Sequence, residues 1–243
     1  MKLKSVFTIL MAAVCLSGSL SAQNITSNSK ESDEKLHPCN FSSEQILPSA
    51  KLQSRASCTT ANAEFLKETK MGKSLVVYFS LAGDQYNVGI IKEGNTSIIA
   101  KFIAEETSSE LFELQTVKPY PTDSYNNLIK IAKDEQNKKA RPALKSDIDI
   151  SAYDTIYIGY PNWWGDMPMP VYTFLEAHDW SGKTIIPFCT HEGSGLSGTE
   201  SHIRSTCKGA TVEKGLAVQG KVAQTNRSAA KKAVQDWLAK LGK

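Results

Sequence analysis

The stretch Ser74-Leu75-Val76-Val77-Tyr78-Phe79-Ser80 decides the fold. Its five central residues are apolar or aromatic, and a run of this length is typical of a strand whose two faces are both buried in a parallel sheet. Two further apolar runs occupy residues 155–160 and 184–190, and less apolar strand candidates occupy residues 111–116 and 211–218. The sequence therefore predicts five strands.

An amphipathic segment follows each predicted strand. After the first strand, one helical face is formed by Ile98, Ile99, Phe102 and Ile103. The other helix candidates are residues 125–138, 170–178, 200–207 and 230–241. Because strands alternate with helices, we expect an α/β domain over residues 73–243, with a parallel sheet that has helices on both faces.

The composition is that of an ordinary globular protein, since 41% of the 243 residues are hydrophobic and 22% are charged. Without Lys2 and Lys4 of the leader, 26 basic residues stand against 25 acidic residues, and no dense basic run occurs. This balance argues against a nucleic-acid-binding surface. The four histidines and the cysteines form no HExxH or CxxC pattern, so no metal site is expected.

The first 22 residues have the layout of a secretory signal peptide. Lys2 and Lys4 precede an apolar stretch over residues 6–16, and small residues lead to Ser21 and Ala22. The apolar stretch is too short to span a bilayer. We therefore expect cleavage after Ala22 and export, with the periplasm as the expected location.

Cys15 leaves a second interpretation of the leader open, in which the protein is a lipoprotein anchored through that cysteine. Val14 argues against it, because a lipid-modifying peptidase usually requires a smaller residue before the cysteine. Residues 23–72 are rich in Ser, Asn, Thr and Lys and show little periodicity. They are interpreted as a linker or a loosely ordered arm.

Export would leave four cysteines in an oxidising compartment, where disulfides form. Sequence order pairs Cys39 with Cys58 and Cys189 with Cys207. Cys189 lies within a predicted strand, so a buried free thiol is the alternative for this residue. The sequence leaves both interpretations open.

Ligands of open α/β sheets bind beyond the carboxyl ends of the strands, and three connections at that edge are unusual. The first, residues 81–96, ends in Gly94-Asn95-Thr96 just before a predicted helix. Backbone N–H groups at a helix start, together with the Thr96 hydroxyl, are suited to a phosphate group. The simpler interpretation is that Asn95 or Thr96 caps the helix.

The second connection, residues 161–168, begins Pro161-Asn162-Trp163-Trp164. It places two large aromatic residues where a surface connection is normally polar. A flat aromatic ligand would account for them. The alternative is that both rings fill the core or an oligomer contact.

The third connection, residues 191–199, begins HEGSGLSG and matches the pattern GxGxxG, with Glu213 20 residues after Gly193. That spacing is found in dinucleotide-binding proteins. Glu192 argues against a nicotinamide site because its charge would lie beside the pyrophosphate. We prefer a loop whose small residues let backbone amides approach a ligand edge. The sequence has no GxSxG elbow, so a hydrolase nucleophile is not expected.

Three segments together resemble bacterial flavodoxin-like proteins. They are residues 76–80 with Gly94-Asn95-Thr96, residues 159–165 (GYPNWWG) and residues 187–195 (PFCTHEGSG). The resemblance covers residues 74–243. It implies an α/β three-layer sandwich with a five-stranded parallel sheet of order 2-1-3-4-5, and non-covalently bound FMN as the cofactor.

The resemblance also implies cofactor-binding roles in all three connections. The FMN phosphate would be bound by Ser80, Gly94, Asn95 and Thr96, and the ribityl chain by Pro161 and Asn162. Trp163 or Trp164 would cover the flavin face. The ring edge would contact Thr190, His191, Glu192, Gly193, Ser194 and Gly195. No catalytic side chain is implied.

Three features depart from the family pattern, and one of them is the expected export, which would put cytoplasmic redox partners out of reach. Gly94 lies fourteen positions after Ser80, whereas the usual phosphate loop has a glycine three positions after its serine. The insert, residues 81–93, is therefore expected to reshape or cover the site. The mature chain is near neutral, whereas flavodoxins are commonly acidic, so docking to a partner by charge attraction is not implied.

Three functions follow from the resemblance. The first is an electron-transfer protein whose FMN cycles between oxidised, semiquinone and hydroquinone forms, with an unidentified redox protein or small molecule as donor and acceptor. The second is an FMN-dependent NAD(P)H or quinone reductase, in which the insert and the two tryptophans frame a second substrate. The third is a flavin-free binding module on the same fold, suggested by the enlarged phosphate loop.

Overall fold

The structure, a computed structural model, describes residues 72–243. The expectations for the leader, for Cys15, for the linker up to residue 71 and for the Cys39–Cys58 pair lie outside these residues. Between residues 72 and 243, no helix is both long and apolar enough to cross a bilayer.

The strands, in chain order, are β1 (Ser74–Tyr78), β2 (Gly83–Gln85), β3 (Gly89–Ile91), β4 (Glu110–Glu113), β5 (Thr155–Pro161), β6 (Thr184–His191), β7 (Thr211–Val212) and β8 (Leu216–Gln219). The central sheet is parallel and runs β4-β1-β5-β6-β7, and β8 also pairs with β6. Counting β7 and β8 as one position, this is the order 2-1-3-4-5. The predicted fold is therefore confirmed.

The helices are α1 (Asn95–Thr107), α2 (Tyr125–Lys138), α3 (Met169–Ala177), α4 (Thr199–Thr206), α5 (Gly220–Thr225) and α6 (Arg227–Lys240). Helices α2, α3 and α4 contribute to one buried cluster, and α1, α5 and α6 contribute to the other. Helices thus cover both faces of the sheet, which explains why its central strands are apolar throughout.

Alternation along β1 supplies both clusters. Leu75 and Val77 lie in the cluster with α2, α3 and α4, whereas Val76 and Tyr78 lie in the cluster with α1, α5 and α6. Leu75, Val76 and Val77 are fully buried, because β1 lies between β4 and β5 and helices cover both faces of the sheet. The edge of the sheet at which β1, β5 and β6 end is therefore fixed by a rigid core.

The predicted fifth strand, residues 211–218, is divided into β7 and β8 in the structure. The N–H of Gly215, between the two strands, donates to the Glu200 carboxylate (2.8 Å) instead of to a neighbouring strand. A Cβ at Gly215 would lie 2.9 Å from the carbonyl oxygen of Pro187. The chain leaves the sheet at this close approach and returns to it at Leu216.

The insert after β1 forms a β-hairpin, which its sequence pattern does not predict. Strands β2 and β3 pair antiparallel, with Gly83 opposite Ile91 and Gln85 opposite Gly89. Asn87 and Gly89 have φ values of 61° and 71°, which the tight connection requires.

Cys189, in β6, and Cys207, directly after α4, are free and buried. Of the two interpretations that the sequence leaves open, the structure has the buried free thiol and not the Cys189–Cys207 disulfide. The Cys189 thiol is directed at the carbonyl oxygen of Gly195 (3.2 Å). Burial raises the pKa of both thiols to about 12, so they behave as apolar core groups.

Candidate functional site

A cleft opens at the carboxyl ends of the central strands, where the three unusual connections meet. Seven of the fourteen predicted site residues line it: Asn95, Pro161, Asn162, Trp163, Thr190, His191 and Glu192. The lining is completed by Gln85, Tyr86 and Tyr125. The cleft therefore combines all three predicted connections with the hairpin of the insert.

Ser80 and Gly94 lie in contact although fourteen positions separate them. A Cβ at Gly94 would collide with the Ser80 hydroxyl oxygen and would lie 2.7 Å from the carbonyl oxygen of Leu81. Only glycine fits this approach. The hairpin of β2 and β3 lies between Ser80 and Gly94 in sequence. The chain leaves after Ser80 and returns at Gly94, so the insert does not break the contact between these two residues.

The first turn of α1 has the properties of an anion site. The N–H of Ser97 donates to the Ser80 hydroxyl (3.0 Å). Within residues 72–243, the N–H groups of Asn95 and Thr96 have no hydrogen-bond partner, as expected for the first residues of a helix. These N–H groups and the positive end of the helix dipole favour a phosphate.

Thr96 and Thr190 join the start of α1 to β6. Their hydroxyl oxygens are 2.8 Å apart, and both side chains are buried. The Asn95 amide is also held, because its Oδ1 accepts a hydrogen bond of 2.8 Å from Gln224 Nε2. The side chains of Asn95 and Thr96 therefore fix the start of α1, and their backbone N–H groups remain for a ligand.

Asn162 holds the second and third connections together. Its N–H donates to the Thr190 carbonyl (2.8 Å), and its Nδ2 donates to the carbonyl of Gly195 and the hydroxyl of Ser197, both at 2.9 Å. Its Oδ1 accepts from the N–H of Gly165 (3.0 Å). The sequence predicted that the Asn162 side chain contacts the ribityl chain. In the structure, the polar atoms of this side chain already bind protein groups.

The two tryptophans both border a small cavity beside α2, but their other contacts differ. Trp163 lines the cleft and packs edge-on against Phe79 and Tyr120, with each pair of ring centroids 5.5 Å apart. Trp164 has a φ of 56°, is 52% exposed and donates from its indole N–H to the carbonyl of Ile129 in α2 (3.1 Å). Of the two candidates for the flavin face, only Trp163 lines this cleft.

His191 lines the cleft with a defined proton position. Its Nδ1 accepts a hydrogen bond of 2.9 Å from the N–H of Gly193, so the neutral imidazole carries its proton on Nε2. Burial lowers the pKa of His191, and the neighbouring Glu192 carboxylate opposes this shift. The imidazole is therefore neutral at pH 7.

The Glu192 carboxylate also lies at the cleft, where it accepts a hydrogen bond of 2.8 Å from the N–H of Lys221 in α5. Gly193, Ser194 and Gly195 are not among the described residues that line the cleft. Gly193 and Gly195 have φ values of 120° and 59°, and no neighbouring atom lies within 4 Å of a Cβ built on either. These residues turn the chain towards α4.

No sequence motif marks Gln85, Tyr86 and Tyr125 as site residues. The rings of Tyr86 and Tyr125 stack, with centroids 5.7 Å apart and an angle of 27° between their planes. Asn87 and Gly89 were the only sequence signal for the hairpin that carries Gln85 and Tyr86, because both residue types favour a tight hairpin turn.

No lysine or arginine is among the described residues that line the cleft. Lys101 and Arg227, near the start of α1, both bind the Glu93 carboxylate (2.6 and 2.8 Å). Burial raises the pKa of Glu93, but the hydrogen bonds from these two cations lower it more, so it lies below its ordinary value. A phosphate in the cleft would therefore be bound mainly by N–H groups.

The family model for flavodoxins matches residues 73–241. The chain belongs to the flavodoxin family. FMN is the cofactor of flavodoxins, which are themselves a standard example of ligand binding at the point where strand order reverses. In this flavodoxin-family chain, strand order reverses between β1 and β5, where the cleft lies.

Two similar solved structures are proteins described as flavoproteins from Bacteroides. The one from Bacteroides eggerthii DSM 20697 is 29% identical, with 70% of this chain and 98% of that chain covered and a TM-score of 0.56. The one from Bacteroides uniformis ATCC 8492 is 32% identical, with 68% and 98% covered and a TM-score of 0.55.

A third structure is a flavoprotein from Lactobacillus acidophilus NCFM in complex with FMN. It is 26% identical, with 60% of this chain and 93% of that chain covered and a TM-score of 0.48. A comparison with curated proteins found no match.

The residues of the cleft fit FMN. Gly94 leaves room for no side chain beside Ser80, and among the described residues the N–H groups of Asn95 and Thr96 have no hydrogen-bond partner, as a phosphate requires. Trp163, Tyr86 and Tyr125 give the same cleft the aromatic surface that a flavin ring requires.

Proposed function

We propose that this flavodoxin-family protein binds FMN in the cleft and transfers electrons between a donor and an acceptor. The contact between Ser80 and Gly94 carries the proposal. It keeps β1 and the start of α1 together across the thirteen-residue insert, and this is the arrangement in which helix N–H groups receive a phosphate. The family membership of the chain supports the same conclusion.

Bound FMN accepts and donates electrons one or two at a time. The protein supplies the environment in which this occurs. When FMN is bound, the N–H groups of Asn95 and Thr96 would hold its phosphate, and Trp163 would shield part of its ring from water. His191 holds a proton on Nε2 of a side chain that lines the cleft. The Glu192 carboxylate adds negative charge that opposes reduction of a nearby ring.

The test is titration of the purified protein with FMN and with riboflavin, followed by absorption and calorimetry. We expect saturation at about one FMN per chain. Riboflavin, which lacks the phosphate, is expected to bind at least about tenfold more weakly, because it loses the contacts with the start of α1. A protein that binds neither ligand contradicts the proposal and supports a flavin-free binding module.

A second candidate function is an FMN-dependent NAD(P)H or quinone reductase. A groove of about 400 Å³ lies beside the cleft, between α2 and the segments 117–120 and 140–143. Tyr120 lines this groove, donates from its hydroxyl to Glu135 (2.6 Å) and contacts Trp163 of the cleft. A second substrate bound there would lie one aromatic ring from Trp163. Steady consumption of NAD(P)H by the FMN-loaded protein alone would favour this function over that of a carrier.

We also propose that the protein is exported to the periplasm, on the basis of the leader at residues 1–22. Fractionation of cells that express the full chain tests this directly. The protein is expected in the periplasmic fraction with a mass that corresponds to cleavage after Ala22. A full-length product in the cytoplasm would contradict it.

A further inference from the structure

We propose that Tyr86, on the hairpin of β2 and β3, contacts the flavin ring and forms one wall of the cofactor cleft, with Tyr125 behind it. This inference rests on the proposed binding of FMN. It assigns a role to the insert after β1, which the three predicted connections did not include. The hairpin thereby becomes part of the binding site.

The position of Tyr86 is the first observation. The side chain lines the same cleft as Asn95, Trp163 and Thr190, which come from the connections after β1, β5 and β6. It is nevertheless 55% exposed. A flat ligand that covers a large, exposed aromatic side chain is stabilised by that contact, because binding removes the apolar surface of the side chain from water.

Tyr125 fixes the orientation of Tyr86. The two rings are stacked at 5.7 Å between centroids, with 27° between their planes. Tyr125 is the first residue of α2 and is partly buried, and burial raises the pKa of its hydroxyl. Because one face of Tyr86 is occupied by Tyr125, the remainder of the ring is the part that a flavin in the cleft can contact.

The hairpin is fastened to the segment that precedes α2. The N–H of Asp84 donates to the Thr122 carbonyl (2.7 Å), and the Asp84 carboxylate accepts from the N–H of Tyr125 (3.0 Å). Gly83 has a φ of 91°, and a Cβ there would collide with the Thr122 carbonyl oxygen. These contacts hold Tyr86 at the cleft before any ligand is present, which lowers the entropic cost of binding.

The experiment compares four full-length proteins: wild type, Tyr86→Leu, Tyr86→Phe and Ile90→Ala. Ile90 is the matched control because it lies on the same hairpin, is 87% exposed and is not among the cleft-lining residues. Dissociation constants are measured for FMN and for riboflavin. The residual fluorescence of the bound flavin reports aromatic contact, and thermal unfolding without ligand reports folding.

We expect Tyr86→Leu to weaken the binding of both FMN and riboflavin by about tenfold, because the lost contact is with the ring that the two ligands share. The bound flavin should also become more fluorescent. Tyr86→Phe and Ile90→Ala should remain within about threefold of wild type.

Wild-type affinity and flavin fluorescence in Tyr86→Leu would overturn the role of Tyr86 and leave the binding of FMN intact. An equal loss in Ile90→Ala would also overturn it, because the effect would then belong to the hairpin as a whole. A wild-type protein that binds no FMN would overturn both this inference and the proposed function.

Discussion

The hydroxyl oxygen of Ser80 accepts a hydrogen bond of 3.0 Å from the backbone N–H of Ser97. Ser80 lies two residues after β1, and Ser97 lies in the first turn of α1, with the hairpin between them in sequence. Gly94, the residue before α1, has no side chain with which to cap the helix. Ser80 therefore supplies the cap from a distant position, and among the described residues the N–H groups of Asn95 and Thr96 have no hydrogen-bond partner.

Ser80→Ala should lower the free energy of unfolding by about 1 kcal/mol, because the N–H of Ser97 loses its partner. It should also weaken FMN binding, since the phosphate loop is less well held. Urea denaturation and FMN titration measure the two effects. Ser124→Ala is the control, because Ser124 caps α2 through the N–H of Asn127 and does not line the cleft. If both variants lose FMN affinity equally, the specific role of Ser80 is wrong.

Thr96→Val and Thr190→Val should each destabilise the protein by about 1–3 kcal/mol, because each leaves one buried hydroxyl without its partner. The double variant should cost clearly less than the sum of the single variants, since both hydroxyls are then replaced by methyl groups. Denaturation of all four proteins without FMN measures this cycle. Additive effects would show that the 2.8 Å contact between the Thr96 and Thr190 hydroxyls contributes nothing to the free energy of unfolding.

Glu192→Gln should raise the potential of the second electron transfer to bound FMN, on the order of tens of mV, because it removes a negative charge at the cleft. The hydrogen bond from the N–H of Lys221 offsets part of that charge, which limits the effect. Spectroelectrochemistry of the FMN complex measures it.

Glu93→Gln is the comparison, because Glu93 is bound by Lys101 and Arg227 and does not line the cleft. It should shift the potential less than Glu192→Gln does. Unchanged potentials in a correctly folded Glu192→Gln complex would exclude Glu192 from control of the flavin.

The stability of the protein should fall as pH is lowered below about 6.5, in part because of His191. Burial lowers the pKa of His191 from 6.5, so the unfolded chain takes up a proton before the folded protein does. Protonation also removes the Nδ1 acceptor used by the N–H of Gly193. The contribution of this residue is complete above the unfolded pKa and is lost as pH falls through the folded pKa.

His191→Asn keeps an acceptor near the N–H of Gly193 and does not titrate. Its free energy of unfolding should therefore depend less on pH between about 7.5 and 5.5 than that of the wild type. Urea denaturation at several pH values provides the comparison. Parallel curves for the two proteins would refute the assignment to His191.

Most of the fold was predictable because its signals are local. The apolar runs of β1, β5 and β6 and the amphipathic pattern of α2 identify these elements, and α2 has the predicted bounds. The hairpin was missed because β2 and β3 have three residues each and contain glycine, which gives no alternating pattern. The division of the last strand depends on the approach of Gly215 to Pro187, which is a tertiary contact.

The part of the candidate site that lies at the ends of parallel strands was predictable. Pro161, Asn162 and Thr190 meet because β5 and β6 end side by side. Tyr86 was not predictable in this way, because its position depends on how Asp84 and Gly83 pack against Thr122. The separation of Trp163 from Trp164 follows from the positive φ of Trp164, for which the sequence carries no signal.

Gln224 Nε2 donates both to the carbonyl oxygen of Glu93 (2.7 Å) and to Asn95 Oδ1 (2.8 Å), and Arg227 forms an ion pair with Glu93. The final two helices are thereby tied to Glu93 and Asn95, at the start of α1, where we propose that the phosphate binds. Folding of the carboxyl-terminal part of the chain and retention of the cofactor are consequently linked equilibria. Loss of the last twenty residues should release the flavin, and saturation with the flavin should protect those residues from proteolysis.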